Sequence, residues 1–176
     1  MKRIMVDIES LGMMPGGVIL SVGWVQFTLE GVKNDTAREV RLDIQEQINR
    51  GLKVDGSTAN FWLEQTARPW QDGLEARDPF HALGDFLYDV EDADEVWAKP
   101  PSYDLAGIRH VRDVFHIGAI WRHRAERCFR TLKGLAPALY HLPVLPDGTK
   151  HGALVDAIHQ AKECAGMLKG LKEGWK

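Results

Sequence analysis

The chain is 176 residues long, with 44% hydrophobic residues, 27% charged residues and a formal net charge of −3, the composition of one ordinary globular domain over residues 1–176. No apolar run approaches the roughly 18–20 residues of a membrane helix, early charges argue against a signal peptide, and two cysteines cannot make a disulfide framework. We therefore expect a soluble cytoplasmic protein without a membrane partner; the acidic net charge does not by itself indicate nucleic acid.

The first 44 residues predict three strands in a meander. Residues 3–8 form an apolar run broken only by Asp7, and Val18 to Leu29 is dense in valine, isoleucine, phenylalanine and tryptophan. A turn at Gly31 to Asp35 leads into Arg38 to Ile44, where polar and apolar residues alternate as in a strand.

Helical patterns dominate the remainder of the chain. The predicted elements are, in order, a helix capped by Ser57 or Thr58, a helix opening at Asp78-Pro79, a strand at Asp94–Ala98, a helix over residues 105–115 and a short strand near Arg127–Leu132.

The last helix is predicted from about Gly152 to Leu168, with an alanine at every fourth position from Ala153 to Ala165. Such a stripe of small residues lets a helix approach a sheet closely. The order β-β-β-α-α-β-α-β-α predicts an α/β fold in which helices cover a mixed sheet.

Two acids lie on the predicted first strand. Asp7 and Glu9 are two residues apart, so their side chains point to the same face. The strand is otherwise apolar and should be buried, where two like charges are costly unless a cation compensates them. Divalent ions, which bind carboxylate oxygens, are the natural compensators.

Three further residues are candidates for the same site. Asp104 follows the strand at Val96–Ala98 and begins a helix, a position that helix capping explains equally well. His151 and Asp156 lie at the start of the last helix and can face the first strand together if His151 precedes the helix. Taken alone, this pair also fits a surface histidine and an aspartate favoured by the helix dipole.

The combination of these residues is more specific than any one of them. An acidic pair on the first strand, an aspartate after a later strand and an H-x-x-x-x-D pattern near the C-terminus occur in one order. The segments that carry the resemblance are Asp7–Gly12, Val18–Gly23, Thr58–Gln65, Val96–Asp104, Arg127–Leu132 and His151–Ala157. Together they resemble the DEDDh branch of the DnaQ-like 3′–5′ exonucleases, within the RNase H-like superfamily. The similarity is greatest to a small single-domain bacterial or phage subgroup described as exonucleases or exoribonucleases.

This resemblance implies a fold, a cofactor and a reaction. The fold is RNase H-like, with a mixed five-stranded sheet of order 3-2-1-4-5, strand 2 antiparallel, flanked by helices. By motif position, the ligands of two Mg²⁺ or Mn²⁺ ions would be Asp7, Glu9, Asp104 and Asp156, and the general base would be His151. The reaction would be phosphodiester hydrolysis from the 3′ end of RNA or DNA. The subgroup also makes a homodimer reasonable.

The chain departs from the family pattern just before the third acid. Ala98-Lys99-Pro100-Pro101 stands where Gly-Asn-Gly is common, so Lys99 is a candidate phosphate contact and the loop a candidate for altered substrate choice. The candidates for binding substrate are Leu11 as a wedge against the terminal base, Phe61, Trp62 and Tyr103 as stacking platforms, and Lys99 and Arg130 as phosphate contacts. At least one of Phe61 and Trp62 is expected in the core instead.

Two other functions fit the same residues. A nucleic-acid-binding module with an inactive RNase H-like site is one, although the acids and the histidine are intact. An endonuclease of the same fold is the other, although RNase H-type sites usually lack the H-x-x-x-x-D ending. The sequence does not separate RNA from DNA, or single from double strands.

Overall fold

The computed structural model describes residues 1–65, 73–118, 120–135 and 152–174. The strands in these ranges are β1 (Arg3–Ser10), β2 (Ile19–Thr28), β3 (Gly31–Val32), β4 (Arg38–Leu42), β5 (Ala76–Arg77), β6 (Glu95–Ala98) and β7 (Glu126–Cys128). The helices are α1 (Ile44–Asn49), α2 (Gly56–Glu64), α3 (Pro79–Val90), α4 (Asp104–Val114), α5 (Phe129–Leu135) and α6 (Ala153–Gly174). No helix in the described ranges has the length and apolar character needed to cross a membrane.

The strands form one mixed sheet of order β5-β4-β2-β1-β6-β7, with β3 paired to β2. Strand β2 is antiparallel to β1 and β4, whereas β1, β6 and β7 are parallel. The predicted five-stranded order and the antiparallel second strand are therefore confirmed. The two-residue strands β3 and β5 extend that sheet beyond the five predicted strands.

Strand β1 lies at the centre of the sheet, between β2 and β6. On one face Ile4 and Val6 pack into a core that includes residues of α3 and α4. On the other face Met5 packs into a second core with residues of α5 and α6. Because side chains alternate along a strand, Asp7 and Glu9 lie on the same face as Met5, which α6 covers.

Helix α6 crosses β2 at a glycine. A Cβ atom on Gly23 would lie 2.2 Å from the backbone N of Leu154 and 2.3 Å from the carbonyl carbon of Ala153. The alanines at every fourth position from Ala153 to Ala165 are all buried. The close approach predicted from the alanine stripe is confirmed, and it places the first turn of α6 above the sheet.

The start of α2 differs from the prediction. The residue that caps the helix is Asp55, rather than Ser57 or Thr58, and its Oδ1 accepts hydrogen bonds from the backbone N–H groups of Ser57 (3.0 Å) and Thr58 (3.1 Å). An aspartate before the helix satisfies both otherwise unpaired N–H groups, so the helix begins at Gly56.

The predicted strand near Arg127–Leu132 is correct only at its start. Strand β7 ends at Cys128, and Phe129 begins α5. Phe129 and Leu132 are three residues apart, both are buried, and both pack into the core that includes α6. Helical spacing therefore buries both side chains, which strand alternation would have pointed to opposite faces.

Candidate metal centre

Three of the five predicted catalytic residues meet between β1 and the first turn of α6. The carboxylates of Asp7, Glu9 and Asp156 each offer an oxygen, and these oxygens lie within 4.8 Å of one another. Glu9 is buried, whereas Asp7 and Asp156 are half-buried. The group is therefore partly enclosed by the fold, and two of its three residues remain partly accessible to solvent.

The fourth predicted acid, Asp104, approaches from the neighbouring strand. It follows β6, is the first residue of α4, and is only 4% exposed. Its carboxylate accepts a hydrogen bond from the backbone N–H of Lys99 at 3.1 Å, while Tyr103 occupies the cap position of the helix. Asp104 is thus held by the loop before α4, and its charge raises the pKa of both Asp7 and Glu9.

Burial and mutual repulsion make these acids hard to ionise. Desolvation is the largest cause of the raised pKa of Asp7, followed by the charges of Asp104, Glu9 and Asp156. The pKa of Glu9 is raised to about 8 by desolvation and then by Asp156. Desolvation raises the pKa of Asp104 to about 7, against hydrogen bonds and positive charges that lower it. The cluster therefore favours any cation that enters it.

The donor set fits a hard divalent cation. All the clustered ligand atoms are carboxylate oxygens, which suit Mg²⁺ or Mn²⁺. Among the residues that the structure describes, no lysine, arginine or histidine lies within ion-pair distance of Asp7 or Glu9. Protein cations of the described part therefore do not neutralise this pair, and a metal ion would do so.

The raised pKa values predict how the stability of the metal-free protein depends on pH. Folded Glu9 keeps its proton up to about pH 8, whereas its ordinary pKa is 4.5, so the folded state binds more protons than the unfolded chain between these values. Linkage then makes the free energy of unfolding fall as pH rises from about 5 to about 8. We expect the Tm in EDTA to fall over this range and Mn²⁺ to raise the Tm most at the alkaline end. Thermal melts with and without Mn²⁺ measure this, and a Tm in EDTA that rises with pH would contradict it.

The cluster is also contacted by a residue that the sequence did not indicate. Gln160 lies one helical turn after Asp156, is 7% exposed, and donates a hydrogen bond from Nε2 to Oδ1 of Asp7 at 2.8 Å. Its Oε1 is buried and has no hydrogen-bond partner among the described residues. A polar residue beside the alanine stripe was the available signal. The hydrogen bond orients the Asp7 carboxylate without adding charge.

We expect Gln160→Leu to weaken Mn²⁺ binding by about 10-fold to 100-fold, since hydrogen bonds that orient metal ligands contribute on that scale. The control is Gln45→Leu, because Gln45 is exposed and its amide donates a hydrogen bond to the exposed Asn49 side chain at 2.9 Å, away from the cluster. Calorimetric titration with Mn²⁺ measures the effect. Equal affinities in the two variants would show that Gln160 does not position Asp7.

A further acid, Glu39, lies on the row of paired residues that crosses the sheet from Asp7. Asp7 is paired with Gly23 on β2, and Gly23 is paired with Glu39 on β4. The charge of Glu39 contributes to the raised pKa of Glu9. Glu39 was not among the predicted site residues, because the alternation of β4 says nothing about which strand lies next to it.

His151, the predicted general base, lies outside the described residues, as do residues 136–150. Its role stays a prediction.

The candidate base-binding residues divide into exposed and buried ones. Trp62 is 2% exposed and donates its Nε1 hydrogen to the carbonyl of Ser10 at 2.8 Å, so it is a core side chain that ties α2 to the end of β1. Phe61 is 38% exposed and packs edge-on against Trp62. Leu11 is half-buried at the end of β1, and the Tyr103 hydroxyl lies 3.0 Å from the Ser10 hydroxyl. The residues available at this surface are therefore Leu11, Phe61 and Tyr103.

The fold is shared with solved structures of exonucleases. Exonuclease I with bound product matches with a TM-score of 0.62 at 11% identity, covering 98% of this chain and 43% of that one. Escherichia coli exonuclease I in complex with the oligonucleotide 5cy-dA13 matches with a TM-score of 0.55 at 12% identity, covering 98% of this chain and 40% of that one. Exonuclease X in complex with 5′ overhanging duplex DNA matches with a TM-score of 0.54 at 12% identity, covering 99% of this chain and 94% of that one. At these identities the likeness establishes the fold.

The sequence profile of the 3′–5′ exoribonuclease Rv2179c-like domain matches residues 2–168, and the chain belongs to this family. The resemblance inferred from the motifs is thereby confirmed. No curated protein sequence gives a significant match. The chain spans about two fifths of the length of exonuclease I and nearly the full length of exonuclease X.

Proposed function

We propose that this protein is a metal-dependent 3′–5′ exonuclease that shortens nucleic acid from its 3′ end by hydrolysing phosphodiester bonds. The observation that carries the proposal is the group of three carboxylates at the centre of an exonuclease fold, in a chain of an exoribonuclease family. The family description favours RNA, and the structures of exonucleases I and X contain DNA. Nucleic acid is therefore the substrate class, with RNA as the first candidate.

The residues proposed to hold two Mg²⁺ or Mn²⁺ ions are Asp7, Glu9, Asp104 and Asp156. Such ions, when bound, activate a water molecule and neutralise the charge on the leaving 3′ oxygen. The charges of the other three acids all raise the pKa of Asp7, so Asp7 would be the ligand shared within this set. Gln160 keeps the Asp7 carboxylate oriented, and the loop before α4 keeps Asp104 in place.

His151 is proposed to accept the proton of the attacking water, because an imidazole with an ordinary pKa near 6.5 suits this transfer at neutral pH. We expect His151→Ala to retain Mn²⁺ binding and to lose about 10²-fold or more in kcat. Calorimetric titration and single-turnover hydrolysis measure the two quantities. Wild-type rates in this variant would remove His151 from the mechanism.

The reaction is tested with 5′-labelled single-stranded RNA and DNA oligonucleotides in Mg²⁺, in Mn²⁺ and in EDTA. A metal-dependent ladder that shortens from the 3′ end supports the exonuclease, and the faster substrate identifies the preferred sugar. Internal fragments of mixed length would indicate an endonuclease. Binding without cleavage by folded protein would indicate a binding module with an inactive site. The homodimer implied by the subgroup is tested in the same preparation by light scattering.

A further inference from the structure

A cavity of about 430 Å³ opens beside the metal centre, at the beginnings of α4 and α5. The residues that line it are Lys99, Pro100, Ser102, Tyr103, Asp104 and Arg130. Since Asp104 belongs both to this cavity and to the acidic site, the cavity adjoins the place where hydrolysis is proposed. It contains the loop in which this chain departs from the family pattern, at Lys99-Pro100-Pro101.

Two cations that face this cavity have no counter-charge within ion-pair distance in the described part of the chain. Lys99 and Arg130 are exposed, and among the described residues neither side chain forms an ion pair. Both line the cavity together with Asp104. Arg127 differs, because its Nε lies 3.8 Å from Oε1 of Glu95. The cavity is thus a local positive site on a chain of negative net charge.

The cations lie on the same side of the site as Asp104, and to one side of Asp7, Glu9 and Asp156. Lys99 follows β6 and Arg130 follows β7, whereas Asp7 and Glu9 lie on β1 and α6 begins above β2. Neighbouring strands are about 5 Å apart, so the cavity is displaced from Asp7 and Glu9 on β1 by about 5–10 Å across the strands of the sheet. A phosphate held there is a neighbour of the scissile phosphate in the same strand.

We propose that Lys99 and Arg130 bind a non-scissile backbone phosphate of the substrate strand in this cavity, and so set the path of the strand across the metal centre. Lysine and arginine are the usual partners of phosphate oxygens, and such contacts set the register of a nucleic acid on a protein. This subsite rests on the proposed function, because it assumes that a nucleic acid strand lies on the acidic site.

The test uses the double variant Lys99→Gln/Arg130→Gln and a matched control, Arg122→Gln/Lys172→Gln. The control removes the same charge from two exposed residues outside the cavity. The probes are a short fluorescent oligonucleotide and a series in which one non-terminal phosphate at a time is replaced by a neutral methylphosphonate. Binding is measured by anisotropy in Ca²⁺ over a range of salt concentrations, and folding of both variants is checked by their Tm.

We expect the cavity variant to bind the unmodified strand about tenfold or more weakly, and the slope of log K against log salt to decrease by about 0.7 for each phosphate that the variant no longer binds. One methylphosphonate position should weaken wild-type binding by a similar factor and should not weaken the cavity variant further. The control variant should bind like the wild type, apart from a small general effect of charge.

Three results would overturn the subsite: unchanged binding by the cavity variant, an equal loss in the control variant, or methylphosphonate effects that add to the variant's loss at every position. If one methylphosphonate position weakens wild-type binding without weakening the cavity variant further, but the wild type cleaves no strand, the subsite stands and the proposed function fails.

Discussion

Asp7→Asn is expected to abolish divalent-ion binding and hydrolysis together while making the metal-free protein more stable. Asparagine keeps the size of the side chain and an Oδ1 that can accept the hydrogen bond of Gln160, but it replaces the second oxygen with an NH₂ group. It also removes a charge that Asp104, Glu9 and Asp156 all repel. Loss of the shared ligand should lower kcat/KM by about 10³-fold or more, since bound metal contributes several kcal/mol to such reactions. Without metal, the variant no longer brings that charge into a partly desolvated cluster, so its Tm in EDTA at alkaline pH should exceed that of the wild type.

Calorimetric titration with Mn²⁺, thermal melting in EDTA and oligonucleotide hydrolysis measure these three effects. The control is Asp35→Asn, an exposed aspartate in the turn before β4 that should change none of them. Either metal binding or activity retained at the wild-type level in Asp7→Asn would contradict the assignment of the carboxylate cluster.

Gly23→Ala is expected to damage both stability and activity, although Gly23 carries no functional group. The added Cβ would lie within 2.6 Å of three backbone atoms of Ala153 and Leu154, and backbone cannot rotate away as a flexible side chain can. The first turn of α6 must therefore move, at a cost of about 1–3 kcal/mol in the free energy of unfolding. Asp156 lies in that turn, and a displacement of about 1 Å in a reacting group can cost about 10²-fold in rate.

The matched control is Gly84→Ala, in the interior of α3, where an added Cβ meets nothing within 4 Å. Alanine is favoured over glycine in a helix by about 1 kcal/mol, so this variant should keep its activity and be as stable as the wild type or more so. Denaturant unfolding and kcat/KM on an oligonucleotide compare the two variants. Wild-type activity in Gly23→Ala would show that the position of α6 does not control the site.

Much of the fold could be predicted because its signals are local. Strand alternation is enough to put Asp7 and Glu9 on one face, and the alanines of α6 indicate its close contact with the sheet before the contact is seen. Local signals did not distinguish between alternatives where the same residue types suit two helix starts, or suit both a strand and a helix. Asp55, Ser57 and Thr58 can all cap a helix, and the apolar pair Phe129 and Leu132 suits a strand in composition but a helix in spacing.

The sequence by itself determined the family. Through the resemblance to that family it also predicted the order of the five main strands and a candidate set of acids for the site. Only the tertiary structure decided which residues serve those acids. Gln160 meets Asp7 across 153 positions of sequence, Glu39 reaches the site through the register of three strands, and Gly23 matters because α6 crosses it. Periodicity reports which face of its own element a residue occupies. What lies opposite that face depends on packing between distant segments, which no local pattern encodes.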